Sequence, residues 1–259
     1  MNSPLVSIII NCFNGEKYLS KCIKSILNQD YQNFEIIFWD NLSSDNSKEI
    51  IKSFVDNRIK YFSSKKFLNL YEARNEAIQK TNGKYITFLD TDDFWSKDKL
   101  KKQVDFLRIN KNYKIVYSNS YTINEKNKKK YLTFKHLPYG NITKKLLKSY
   151  TIGILTVCID KSIFKDYKFD KRLNILGDFD FFINLSKTFE IGCIQEPLAF
   201  YRVHEQNYST IKIKTYIDEL KNWIDENKIT LNKEGYSVNK QRYELLKLKI
   251  KFFLNNLGV

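Results

Sequence analysis

Glycine, proline and histidine are scarce in this chain: eight Gly, three Pro and two His among 259 residues. Two histidines, His136 and His204, exclude a zinc hydrolase site built on several imidazoles. No two glycines lie two positions apart, so the GxGxxG dinucleotide fingerprint is absent. Gly83-Lys84 lacks both the partner glycine and the Ser/Thr of a P-loop. Phosphates, if bound, must be neutralised in another way. The four cysteines, Cys12, Cys22, Cys158 and Cys193, show no CxxC spacing and sit inside apolar patterns, which reads as reduced, buried thiols. No apolar run approaches the about 20 residues of a membrane span; the longest, at residues 6–10 and 36–39, are strand-sized. Residues 1–4 carry no basic side chain ahead of the first run, so no signal peptide is expected and the expected compartment is the cytoplasm.

Acid is also in deficit, with 29 Asp+Glu against 44 Lys+Arg and a formal charge of +15. A basic balance invites a nucleic-acid partner. Against it, Lys far exceeds Arg, and the abundance of Lys, Asn and Ile throughout is what an AT-rich genome would produce. The densest basic run, residues 124–130, lies between two strand-like segments and reads as a solvated hairpin tip. No nucleic-acid motif accompanies the charge, and no nucleic acid is expected.

What the chain does have is apolar material, 42% of residues, without low-complexity tracts. Disorder is excluded, and the length suits one large domain or one domain with an appendage. Apolar runs at residues 5–10, 34–39, 58–62 and 84–89 read as buried strands. Between them Tyr18, Leu19, Cys22, Ile23, Ile26 and Leu27, then Ile50, Ile51, Phe54 and Val55, then residues 69–80, recur at helical spacing, and another helix is expected over 97–109. This β-α-β-α alternation predicts an α/β fold with a largely parallel sheet. Beyond residue 110, short strands at 114–117, 121–124 and 131–134 predict an antiparallel excursion. A helix near 141–149 and a strand near 154–159 follow. A helix from Asp178 to about 189, strands at 191–194 and 198–203, and a helical extension over 211–259 complete the expectation. The expected division is an α/β domain over 1–210, where any site would lie, and a helical extension over 211–259.

Ligands bind an open parallel sheet at the carboxyl ends of its strands. Here those ends carry residues 11–15, the segment 40–45 and Asp90-Thr91-Asp92-Asp93. Three carboxylates within four residues repel unless a cation or strong donors compensate. Oxygen ligands of this kind suit Mg²⁺ or Mn²⁺ held together with substrate phosphates. The competing reading is local: Asp93 or Ser96 could cap the helix that contains Leu100, Val104 and Leu107, and Asp178 could cap its own helix.

These segments, Val6-Ser7-Ile8-Ile9-Ile10, Ile36-Ile37-Phe38-Trp39-Asp40-Asn41, Ala73-Arg74-Asn75 and residues 83–93, resemble family 2 glycosyltransferases of the GT-A, Rossmann-like fold. The likeness continues through Gly177-Asp178-Phe179-Asp180 and Tyr201-Arg202-Val203-His204, in the family's order, over roughly residues 4–209. It implies an enzyme that moves a sugar from a nucleoside diphosphate sugar, UDP-linked in the commonest case, to a hydroxyl of a saccharide or lipid-linked acceptor in glycan assembly. The resemblance puts Asn11, Phe13, Asn14, Asp40 and Asn41 on the base and ribose, Asp90 on the ribose, Arg74 near the nucleotide or sugar, and Asp92 and Asp93 on a Mn²⁺ or Mg²⁺ ion. Arg202 and His204 would lie by the diphosphate, with Arg202 gripping paired phosphate oxygens. Asn41 replaces a second Asp common in the family, yet still offers a donor and an acceptor to a pyrimidine edge.

The resemblance also implies a base for the acceptor hydroxyl and a single displacement with inversion. The family's Glu-Asp pair is here Gly177-Asp178, so Asp178 is the candidate base. Asp180, two residues on, should point the opposite way on a helix. The C-terminal helix, with Leu246, Ile250 and Phe253 among Lys247, Lys249 and Lys251, is expected to pack on the catalytic domain and to offer a peripheral contact to anionic membrane lipid. Two alternatives come from other classes: a sugar-phosphate nucleotidyltransferase, which should carry a Gly-rich, Arg-containing N-terminal loop absent here, and a noncatalytic nucleotide-sugar binding protein.

Overall fold

The N-terminal run, apolar but for Ser7, is buried on both faces because it lies inside the sheet. A computed structural model describes residues 3–126, 128–205 and 212–256. In it β1 (Val6–Cys12) is followed by α1 (Glu16–Leu27), β2 (Phe34–Asp40), α2 (Ser47–Ser53), β3 (Ile59–Ser63), α3 (Leu70–Ile78) and β4 (Tyr85–Phe88). The middle of the chain forms β5 (Phe94–Trp95), α4 (Lys99–Ile109), β6 (Ile115–Asn124), β7 (Lys129–Leu132), α5 (Thr143–Lys148) and β8 (Val157–Asp160). Helix α6 (Gly177–Thr188), β9 (Ile191–Val203), α7 (Ile213–Lys233) and α8 (Asn239–Asn256) close the order.

Among the described residues these strands make one sheet ordered β3-β2-β1-β4-β8-β6-β9-β5, with β7 on β6. Strands β3, β2, β1 and β4 are parallel, and β8 runs antiparallel to both β4 and β6. This is the expected α/β arrangement with its antiparallel excursion, and the lysine-rich stretch does connect the antiparallel pair β6 and β7.

Alternation along the strands sends side chains to two cores. Val6, Ile8, Ile10, Ile36 and Phe38 face Leu19, Ile23, Ile26, Leu100 and Val104 on one side. Ile9, Ile37, Trp39 and Ile86 face the other side, where α3, α5, α6 and α7 pack. Leu220, Trp223, Ile224 and Leu231 of α7 belong to that second core, so the C-terminal helices are built onto the sheet. The expected boundary at 210/211 lies outside the described residues. Cys12, Cys22 and Cys158 are buried and Cys193 is half-buried, all four free thiols.

The structure departs from the sequence expectation where local signals were weak. The two strands expected at 114–117 and 121–124 are one strand, β6, whose pairing with β9 shifts register between Ser118 and Ser120. The expected pair at 191–194 and 198–203 is likewise one strand, β9. Two residues, Phe94–Trp95, form a strand that no periodicity announced, paired antiparallel with Phe200 and Ala199 of β9. That pairing ties the acidic segment to the far side of the sheet, and Phe94 stacks on Phe200 at 4.5 Å.

Candidate active site

The carboxyl ends of β1, β2 and β4 open into a cavity of about 1010 Å³. Asn11, Asn41, Arg74, Asp90, Asp92 and Asp178 are among the residues that line it. Gly15 lets the β1–α1 loop meet the acidic segment: a Cβ there would stand 2.8 Å from Thr91 Oγ1. The far wall comes from α5, the stretch 149–156 and the two C-terminal helices.

The four-residue acidic segment is compensated residue by residue. Arg74, whose side chain is only 2% exposed, donates from Nη2 to Asp90 Oδ1 at 2.9 Å and from Nη1 to Asp178 Oδ1 at 2.7 Å. One guanidinium therefore joins two carboxylates 88 positions apart in the sequence. Burial alone would lower the pKa of Arg74, but the two carboxylates reverse that and raise it. Asp92 Oδ2 stands 3.0 Å from His204 Nε2. Asp93 is 3% exposed and its Oδ1 accepts the main-chain N–H of Arg202 at 2.8 Å. Burial, and after it the neighbouring acids, raise the pKa of Asp92 and push that of Asp93 well up. Neither Asp93 nor Ser96 caps α4, whose N-cap residue is Asp98 and carries no side-chain cap bond.

Asp178 sits in the first turn of α6, and it does not cap the helix either. Glu219 of α7 instead holds the turn before the helix, its carboxylate accepting the main-chain N–H groups of Asn174, Ile175 and Leu176 at 2.7 to 3.0 Å. Burial lifts the Asp178 carboxyl to about 6, with Arg74 pulling it back and Asp90 adding to it. Asp180 turns away as helical geometry requires, and its Oδ1 accepts the Trp223 indole N–H at 2.9 Å. Gly177 is there because of Tyr71: a Cβ at 177 would stand 2.4 Å from ring atoms of the buried Tyr71.

Several expected contacts are differently employed. Asp40 is 3% exposed, with Oδ1 accepting from the Ser43 N–H at 2.8 Å and Oδ2 from the Tyr61 hydroxyl at 2.6 Å, and it does not line the cavity. Asn41 lines the cavity, but both ends of its amide bond the main chain of Leu68, clamping the loop that carries Phe67. Phe67 meets Phe13 edge to face at 4.9 Å, and both rings line the cavity. The Asn14 side chain accepts from the Ser44 N–H at 2.8 Å, and Asn14 itself holds a left-handed φ of 54°. Asn11 Nδ2 is buried with no hydrogen-bond partner. Arg202 sits outside the lining: it donates to the Asp92 carbonyl and to Glu125 Oε1 at 2.9 Å, and lies over the Tyr18 ring. Glu125, Tyr18, Tyr71 and Glu219 carry no sequence signal for these roles. Glu125 in particular is a single acid in a run of lysines.

The chain and its fold have known relatives. The model of the family described as Glycosyl transferase family 2 matches residues 7–173. An Escherichia coli protein named UDP-Glc:alpha-D-GlcNAc-diphosphoundecaprenol beta-1,3-glucosyltransferase WfgD is 35% identical over 217 residues, 83% of each chain. The Staphylococcus aureus TarS structure in complex with UDP superposes with a TM-score of 0.63 at 18% identity, over 84% of this chain and 65% of that one. The mannosyltransferase PcManGT of Pyrobaculum calidifontis, solved with GDP-Man and Mn²⁺, gives 0.64 at 13% identity, over 87% of this chain and 65% of that one. The family match, the sequence relative and the shared fold agree: the chain belongs to glycosyltransferase family 2, has the GT-A fold, and is a glycosyltransferase.

Proposed function

We propose that this enzyme transfers a sugar from a UDP-linked donor to a hydroxyl of a saccharide carried on a lipid diphosphate, with inversion at the anomeric carbon. The observation that carries the reading is the Asp90–Arg74–Asp178 bridge, which holds a donor-side strand end and a basic carboxylate in one rigid frame at the cavity floor. UDP is favoured because WfgD is named for a UDP-Glc donor and TarS was solved in complex with UDP. The lipid diphosphate follows the diphosphoundecaprenol acceptor for which WfgD is named.

Asp178 takes the acceptor's proton. With its carboxyl lifted to about 6 it is ionised at neutral pH and a stronger base than an ordinary aspartate. The freed oxygen forms its bond to the anomeric carbon as the bond to the diphosphate breaks, and one displacement inverts the centre. Asp92, beside His204 on the cavity wall, would hold a Mg²⁺ or Mn²⁺ ion together with donor phosphate oxygens. Asp93 also lines the cavity, with its Oδ1 on the Arg202 N–H, and is the second candidate. When bound, such an ion offsets charge on the departing diphosphate. Among the described residues no three acidic, His or Cys groups form a metal site alone, as expected where substrate completes the shell.

Helix α8 exposes Tyr243, Leu246, Ile250 and Phe253 beside Lys247, Lys249 and Lys251, a face suited to an anionic leaflet that displays a lipid-linked acceptor. No helix among the described residues is long and apolar enough to cross a membrane. The central test is UDP release from UDP-glucose and UDP-GlcNAc, with GDP-mannose as the contrasting donor, each with Mn²⁺ or Mg²⁺. Asp178→Asn should abolish turnover while UDP still binds, and Asp92→Ala should remove the metal dependence of binding. Full turnover by Asp178→Asn sinks the base assignment.

A further inference from the structure

Two buried polar atoms on the cavity's far wall have no hydrogen-bond partner, the Tyr150 hydroxyl and Gln241 Oε1. An unpaired buried polar atom is destabilising, and two beside one cavity call for an explanation. Gln241, on α8, cannot relieve its own deficit by flipping, because its Nε2 already donates to the Leu147 carbonyl at 2.7 Å. The Tyr150 ring is held edge to face on Phe179 at 5.3 Å, and Phe179 rests on Trp223 at 4.8 Å. Burial, with the Asp178 carboxylate after it, pushes the Tyr150 hydroxyl well up, so it stays a neutral donor.

The cavity has room for a second ligand. At about 1010 Å³ it lies at the top of the range for one small molecule. Tyr216 and Leu220 of α7 and Lys240 and Glu244 of α8 complete the far wall. Lys240 Nζ is already paired with Glu244 at 2.8 Å. The wall thus offers apolar rings, one spare hydroxyl donor and one spare amide acceptor; its α8 charges neutralise each other, and among the described residues Lys148 at the end of α5 is the one further charge on it. That set matches a neutral polyhydroxylated ring, whose C–H faces pack on aromatic side chains and whose hydroxyls both donate and accept.

We infer that this wall is the acceptor subsite and takes a saccharide ring, with Tyr150 donating to one sugar hydroxyl and Gln241 accepting from another, so that the C-terminal helices are part of the acceptor site. The inference rests on the proposed transfer to a saccharide and names the residues that receive it. Both atoms are shielded from water in this structure, so a sugar's hydroxyls reach them as the two side chains turn toward the cavity.

The experiment is ligand-observed NMR titration of the full chain with octyl glucoside, octyl galactoside and octyl N-acetylglucosaminide below their micellar concentrations, with and without UDP. Tyr150→Phe should bind the preferred glycoside about three- to tenfold more weakly, the worth of one neutral hydrogen bond. Its UDP affinity should be unchanged, and its Tm equal or higher because an unpaired group is removed. Gln241→Met should show a comparable loss, with its Tm measured alongside because the Leu147 bond goes too. Wild-type protein that binds none of the three glycosides, or Tyr150→Phe binding its glycoside as wild type does, overturns the inference. A wild type that binds glycosides but not UDP counts against the donor assignment and leaves the subsite standing.

Discussion

Replacing Arg74 by Met tests the central feature of the site, since this side chain alone joins Asp90 to Asp178. In the native protein Asp178 titrates at about 6, so about nine-tenths of it is ionised at pH 7. An opposite charge in contact lowers a carboxyl by about 1–3 units. Losing it raises Asp178 by that amount, and a rise of about two units leaves roughly one-tenth ionised at pH 7. Turnover at pH 7 should fall about tenfold and recover as pH rises towards about 9.

Stability should fall too. Removing one partner of a buried pair costs about 3–5 kcal/mol. The carboxylates' side chains are 36% and 21% exposed, which brings the expectation to about 2–3 kcal/mol after solvent screening. The assay is UDP release from the preferred UDP-sugar between pH 5.5 and 9.5, beside thermal melts at each pH. A folded Arg74→Met variant whose loss is the same at every pH refutes the argument, because the arginine would then act on substrate directly.

Three other outcomes follow from particular contacts. Gly177→Ala drives a methyl into the Tyr71 ring and should cost about 1–3 kcal/mol. Tyr71→Leu in the same chain should restore part of it, and a Gly177→Ala melt equal to wild type would show that the ring gives way freely. Glu219→Gln leaves one acceptor for three main-chain N–H groups, so stability should drop by about 1–3 kcal/mol. Turnover should drop with it, because the loop leading into Asp178 loosens; unchanged melts and rates would remove the positioning role. Lys99 is fully buried and its ammonium is lowered to about 7 from its usual 10.5. Between those values the unfolded chain holds the proton and the folded chain does not, so stability should rise with pH from about 7 to about 10. Lys99→Met should flatten that rise; identical denaturant midpoints against pH in both proteins would contradict it.

Much of the fold was legible because the first ninety residues alternate between two hydrophobic periods, and buried parallel strands read as continuous apolar runs. The motifs at the strand ends were legible too, since their positions follow from where each run stops. Pairings set by distant partners were not. Strand β5 is two residues long and exists through β9. The unity of β6 rests on a register shift that a period of two cannot express. The partners that Asp40 and Arg202 have within the protein were not legible either, because Tyr61 and Glu125 reach them from 21 and 77 residues away.

By itself the sequence determined the class of sheet, the edge where ligands meet it, and the kinds of group at that edge. These are consequences of local periodicity and chain order. Only the tertiary structure decided which group meets which acid. Arg74 answers Asp90 and Asp178, His204 answers Asp92, and the main chain of Arg202 answers Asp93. Such partners are chosen by proximity and desolvation, which no spacing along the chain encodes. For the same reason the absent glutamate at 177 became intelligible only once the Tyr71 ring was seen to fill its space, and the helical tail only once α7 was seen to hold the turn before Asp178.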